Sequence, residues 1–127
     1  MNYSEIYSRL CYDIALIIFY KKNGDIRIML GTRNLHSARL EYPEANLGYQ
    51  DNRCNSTNGN VAVFDLIIGE PRQFNVGRLV KIEFLGEVRN SSDFGPMIEK
   101  YRFYKDYYEK LKNDVSESGS PIDKMFN

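Results

Sequence analysis

The stretch NVAVFDLIIGEPRQFNVGRLVKIEFLG, Asn60 to Gly86, decides how this chain folds. Its first part, Val61 to Ile68, is a nearly continuous apolar run broken only by Asp65 and bounded by Asn58-Gly59-Asn60 and Gly69-Glu70-Pro71. β-Branched and aromatic residues between Gly, Pro and Asn punctuators are the signature of a strand. The run is also too short for a helix to be the first choice. Gln73 to Val76 then alternate polar and apolar, and a second apolar run follows from Leu79 to Leu85. In that run Lys81 and Glu83 fall on the face opposite Val80, Ile82 and Phe84. Pro71 cannot donate to a ladder, so Gly69 to Pro71 is expected to be a tight connection between antiparallel neighbours.

Outward from this centre the same grammar repeats. Ile14 to Tyr20 reads as a buried strand. Asn23-Gly24 between two β-type runs is a strong hairpin signal. Ile26 to Leu30 is then the partner strand, with Ile26, Ile28 and Leu30 on one face and Arg27 and Met29 on the other. Tyr3, Ile6, Tyr7 and Leu10 have helical spacing and predict a short helix over one end of a barrel, with Ser4 as its N-cap. Leu35 to Asn60 is a long connection with a short helix expected near Leu35 to Leu40 and a break at Pro43. Loops of this length in compact domains carry function or are disordered, so specificity is expected here. Gly95-Pro96 sets up a second helix, expected over about residues 96–112, with Ile98, Tyr101, Tyr108 and Leu111 along one side.

The fold class implied is α+β: a small five-stranded antiparallel β-barrel with a short N-terminal helix and a longer C-terminal one. Residues 1–113 form a single domain with a barrel core over about 14–87, and 114–127 read as a flexible tail. The 17 basic and 17 acidic side chains cancel, so no global field draws the chain to nucleic acid or a membrane. Binding to nucleic acid would need a local basic patch. The longest apolar run, Ile14 to Phe19, falls far short of the roughly 20 residues of a membrane span. Without a visible signal peptide, Cys11 and Cys54 are expected to be free thiols in a reducing cytoplasm.

Three segments in order carry a family resemblance: Lys21 to Arg27 leading to Gly31-Thr32-Arg33-Asn34, then Val61 to Leu66, then Arg72-Gln73-Phe74-Asn75-Val76-Gly77-Arg78-Leu79. Together they resemble the WYL-type, Sm-like/SH3-like barrel proteins carried by tailed phages, with the style of a T-even-type accessory product. Val61-Ala62-Val63 stands where the Trp-Tyr-Leu triplet would fall, while Arg72 and Arg78 match the family's arginines. The resemblance implies a phage protein acting in the host bacterial cytoplasm, with a ligand surface built on those arginines.

No catalytic constellation emerges. His36 is the only histidine, and no nucleophile arrangement, phosphate loop or metal-ligand spacing is present. The expectation is a non-enzymatic protein with no cofactor and no metal. The cations are more informative. Arg33, Arg72 and Arg78, with Arg39 and Arg53 from the long loop, are expected to converge on phosphates, and Tyr49 and Tyr42 to stack bases. The alternative is that Arg72 and Arg78 pair with Glu70, Glu83 or backbone carbonyls and hold a turn together. Tyr101, Tyr104, Tyr107 and Tyr108, with Phe103, encircle the C-terminal helix more fully than one buried face needs, which makes them a candidate partner interface. Three functions follow: binding of single-stranded DNA, RNA or a nucleotide; modulation of a host protein in takeover or anti-defence; and sequestration of a nucleotide signal. Barrel edge and aromatic helix also offer surfaces for homo-oligomers.

Overall fold

The structure, a computed structural model, describes residues 1–118. Helix α1 (Tyr3–Leu10) leads into strands β1 (Ile14–Tyr20) and β2 (Ile26–Thr32). The long connection holds two one-turn helices, α2 (Leu35–Ala38) and α3 (Gly48–Asp51). Strands β3 (Asn60–Asp65) and β4 (Glu70–Asn75) follow, then a 3-10 turn (Val76–Arg78), β5 (Leu79–Gly86) and the long helix α4 (Phe94–Ser118). All pairings are antiparallel, in the order β4-β3-β2-β1-β5, as a small α+β barrel requires.

The sheet curls because the inner side of every strand feeds one cluster. Ala15, Ile17 and Phe19 of β1 meet Met29 of β2, Val61 and Val63 of β3, Phe74 of β4, and Leu79, Ile82 and Phe84 of β5. Helix α1 caps this core with Ile6 and Leu10, both buried. Asn2, rather than Ser4, is its N-cap and accepts the Glu5 N–H. Strand β1 is buried on both faces, since Leu16 and Ile18 turn outward beneath α4 and join Tyr101. The two sides of β1 together explain its unbroken apolar run.

Two strand readings need correction. The run Val61 to Ile68 is not one strand: β3 ends at Asp65, whose Oδ1 accepts the N–H groups of Ile67 and Ile68 and turns the chain. Gly69 completes the turn at φ +73°, and a Cβ there would lie 2.6 Å from Tyr42 Cε1. Leu66 and Ile67 stay apolar because they pack under the long connection. Pro71 sits inside β4, which is tolerated because β4 is an edge strand. In β5 the register against β1 shifts twice, between Ile14 and Ala15 and between Ile18 and Phe19. The extra residues are Leu85 and Val80, and both bulged side chains reach the cluster under α4. Val80 therefore parts from Ile82 and Phe84, contrary to simple alternation.

Helix α4 starts two residues before the expected bound, with Pro96 in its first turn, and continues through residues expected to be tail. The expectation of flexibility beyond Ser118 lies outside the described residues. Cys11 and Cys54 are free thiols. No helix among the described residues is long and apolar enough to cross a membrane.

Candidate nucleic-acid interface

The site begins where β3 parts from β2. Only Gly31–Asp65 and Thr32–Phe64 are paired between them, so the start of β2 has no ladder partner on that side. The Asp65 turn carries the chain away and leaves a gap. Arg27 of β2 lies on the same side as Met29, and Arg72 of β4 on the same side as Phe74, so both arginines belong to the inner face. They meet at this gap around Asp65. Arg72 Nε lies 3.5 Å from Asp65 Oδ2. Burial pushes the Asp65 carboxyl above its ordinary range, while the Ile67 and Ile68 N–H groups, Arg72 and Arg27 pull the other way. Burial, with repulsion from Arg72, lowers the Arg27 guanidinium.

Two grooves open from this point. The first, about 360 Å³, runs between α4 and the barrel, past Ile26, Ile28, Ile67, Tyr101 and Lys105. The second, about 460 Å³, crosses the barrel mouth over the Phe19 and Phe74 rings, which lie 6.0 Å apart. Lys21 and Arg27 line both. Lys21 and Lys22 are held there by the hairpin turn, in which the Lys21 N–H donates to the Asp25 carbonyl and Gly24 takes φ +89°.

The second groove has a distinct electrostatic character. Its charged side chains are Lys21, Lys22, Arg27 and Arg78, and none of the described residues lining it is a carboxylate. The uncharged polar lining is Tyr20 and four amides, Asn58, Asn60, Gln73 and Asn75. These amides also bind one another and the backbone. Asn75 Nδ2 donates to the Asn58 carbonyl and to Asn60 Oδ1, and Gln73 Nε2 donates to Gln50. A molecule with no net charge thus concentrates positive potential at one end of its barrel.

The residues singled out from sequence do not converge as one cluster. Arg72 lines the first groove and Arg78 the second, with Arg27 between them. Arg33 is elsewhere and is engaged through both of its terminal nitrogens. Its side chain is 8% exposed, and its Nη1 donates to the Ala62 carbonyl at 2.8 Å. Its Nη2 donates to the Tyr7 hydroxyl and to Asp51 Oδ1, each at 2.8 Å, while the guanidinium lies 4.3 Å from the Tyr7 ring centre. Arg33 therefore ties α1, α3 and β3 together. Burial works against its charge, but Asp51 and Tyr7 outweigh it and the net shift is upward. Arg39 Nε donates to the Ala45 carbonyl and staples the long connection. Tyr42 is also structural, donating its hydroxyl to the Leu66 carbonyl. Arg53 and Tyr49 are exposed but line neither groove.

The tyrosines of α4 divide. Tyr101 is buried, while Tyr104 and Tyr108 are half-buried against the barrel. The hydroxyl of Tyr104 accepts from Lys81 Nζ at 2.9 Å. Only Tyr107 remains exposed, beside Phe103. Sequence reasoning missed Arg27, Lys21 and Lys22. The available signal was Arg27 sharing a strand face with Met29, at a spacing that points both inward. His36 is exposed on α2, and no group of three or more His, Cys, Asp or Glu side chains among the described residues could hold a metal.

No curated protein and no solved structure matches the chain. The family model described as WYL_2, Sm-like SH3 beta-barrel fold, matches residues 3–80, which take in the barrel from α1 to the start of β5.

Proposed function

Because the chain belongs to the WYL_2 family of Sm-like SH3 β-barrels, we propose that it is a non-enzymatic module that binds single-stranded nucleic acid across its barrel mouth. The backbone lies along the second groove, with phosphates against Lys21, Lys22, Arg27 and Arg78. The observation that carries this reading is the groove's charge set: four cations and no carboxylate among its described lining residues, in a chain whose charges otherwise balance. Lysine and arginine in a groove that tracks the backbone are what sequence-tolerant single-strand binding needs. In this account the protein is a bacteriophage accessory product at work in the bacterial cytoplasm, and Arg33 has a purely structural role.

Fluorescence anisotropy with labelled single-stranded DNA and RNA at low salt tests the proposal. Saturable binding is expected, weakened roughly three- to tenfold by Arg78→Ala, as fits one lost phosphate contact at an exposed site. No binding to either oligonucleotide at low salt would overturn it.

A second reading has its own observation. Phe103 and Tyr107 are 64% and 45% exposed and lie one helical turn apart on α4, away from the barrel. Paired exposed aromatics suit a protein partner, such as a host enzyme to be modulated. Capture of one stoichiometric bacterial protein, lost in a Phe103→Ala, Tyr107→Ala double variant, would favour this role. The same capture by the double variant would exclude it.

A further inference from the structure

The groove under α4 is not needed to hold the middle of a strand, yet it joins the nucleic-acid groove at Lys21 and Arg27. Resting on the proposed single-strand binding, we propose that this first groove receives a terminal phosphomonoester of the bound strand, so that the protein reads phosphorylated ends.

Two guanidinium groups are brought together over one buried carboxylate. Asp65 is 3% exposed, and its Oδ1 is occupied by the N–H groups of Ile67 and Ile68. Its Oδ2 faces Arg72 Nε, which is itself buried and lacks a hydrogen bond among the described residues. The Arg72 side chain is nevertheless 29% exposed, which leaves its outer donors to the groove. The Arg27 guanidinium feels Asp65 as an opposite charge and Arg72 as a like one. Two neighbouring guanidiniums sharing one carboxylate leave a positive charge uncompensated. Asp65 thus acts as the positioning group that aims Arg72, while the cations supply the ligand contacts.

The chemistry selects a monoester over an internal diester. A diester carries one negative charge and has chain on two of its oxygens. A terminal monoester near neutral pH carries about −1.5 to −2 and offers three acceptor oxygens, which suits two arginine forks and the Lys105 ammonium. Five cationic and three anionic side chains line this groove, an excess that fits a dianion. Ile26, Ile28 and Ile67 beside Tyr101 give an apolar wall for the terminal sugar and base.

The test compares one oligonucleotide with a 5′-phosphate, a 3′-phosphate or hydroxyls at both ends, and a nucleoside monophosphate alone. One phosphorylated form is expected to bind about tenfold more tightly than the hydroxyl-ended strand. Arg72→Gln is expected to abolish that preference while the hydroxyl-ended strand still binds. Because Arg72 also partners Asp65, Lys105→Gln provides an exposed α4 position, where the preference should fall to a few-fold in a fully folded protein. Equal affinity of the three oligonucleotides would overturn end reading and leave strand binding standing. A mononucleotide bound as tightly as the best strand would make this groove a nucleotide site and also overturn it. Loss of all oligonucleotide binding by the unmodified chain would instead overturn the strand-binding premise.

Discussion

Asp65 Oδ2 lies 3.5 Å from Arg72 Nε, across the turn that ends β3 and begins β4. The contact links fold to site. The same carboxylate that turns the chain through the Ile67 and Ile68 N–H groups also holds a cation at the groove. Local structure and ligand electrostatics are therefore set by one side chain.

That relationship has a pH signature. Asp65 is buried and its folded pKa is raised above an ordinary carboxylate value of 3.8. Between the unfolded and folded values the folded state binds the extra proton, so stability falls as pH rises through that window. The stabilisation from protonation is fully present below 3.8. Asp65→Asn keeps an acceptor oxygen for the turn and removes the titration. Urea unfolding of both proteins from acid to neutral pH is expected to show a downward slope in the wild type relative to the variant. Parallel curves would mean that Asp65 is not desolvated in the folded protein.

Arg33→Ala is expected to destabilise the fold by about 2–3 kcal/mol, since it strands the Ala62 carbonyl and removes a stacked cation from Tyr7. Arg33→Lys is not expected to restore this, because one ammonium cannot span the Ala62, Tyr7 and Asp51 acceptors. Oligonucleotide affinity, measured on folded protein, should stay unchanged. Weakened binding with wild-type stability would return Arg33 to the ligand surface.

Gly69→Ala should cost on the order of 2–4 kcal/mol, combining a left-handed backbone with crowding against the Tyr42 ring. Paired with Tyr42→Ala, the steric part should vanish while the backbone part remains. Denaturant midpoints of the two single variants and the double variant decide this. Strict additivity would show that the ring is not the obstacle.

The sequence made most of the barrel legible because its signals were local. Asn23-Gly24 marked the hairpin, and the β1 run announced burial on two sides. The end of β3 was hidden because Leu66 and Ile67 are apolar for a reason unrelated to strand pairing: they pack beneath the long connection and α4, while Ile68 is exposed at the turn. The one polar residue in that run, Asp65, was the sign of the turn. Arg33 looked like a free cation because the groups that bury it, Tyr7 and Asp51, are remote in sequence. Arg27 was not legible as a site residue because both faces at the start of β2 are partly covered and both faces further on are buried, so alternation alone could not say which side was the barrel interior. Val80 was misplaced because a bulge resets alternation without any residue type to announce it.

The salt dependence of single-strand affinity tests the central claim most directly. Four cations along the second groove predict a plot of log affinity against log salt with a slope of roughly −3, at about 0.7 per phosphate neutralised. Arg27→Ala should make that slope shallower by about 0.7. A slope near zero, or one that Arg27→Ala leaves untouched, would contradict the assignment of the barrel mouth as the nucleic-acid surface.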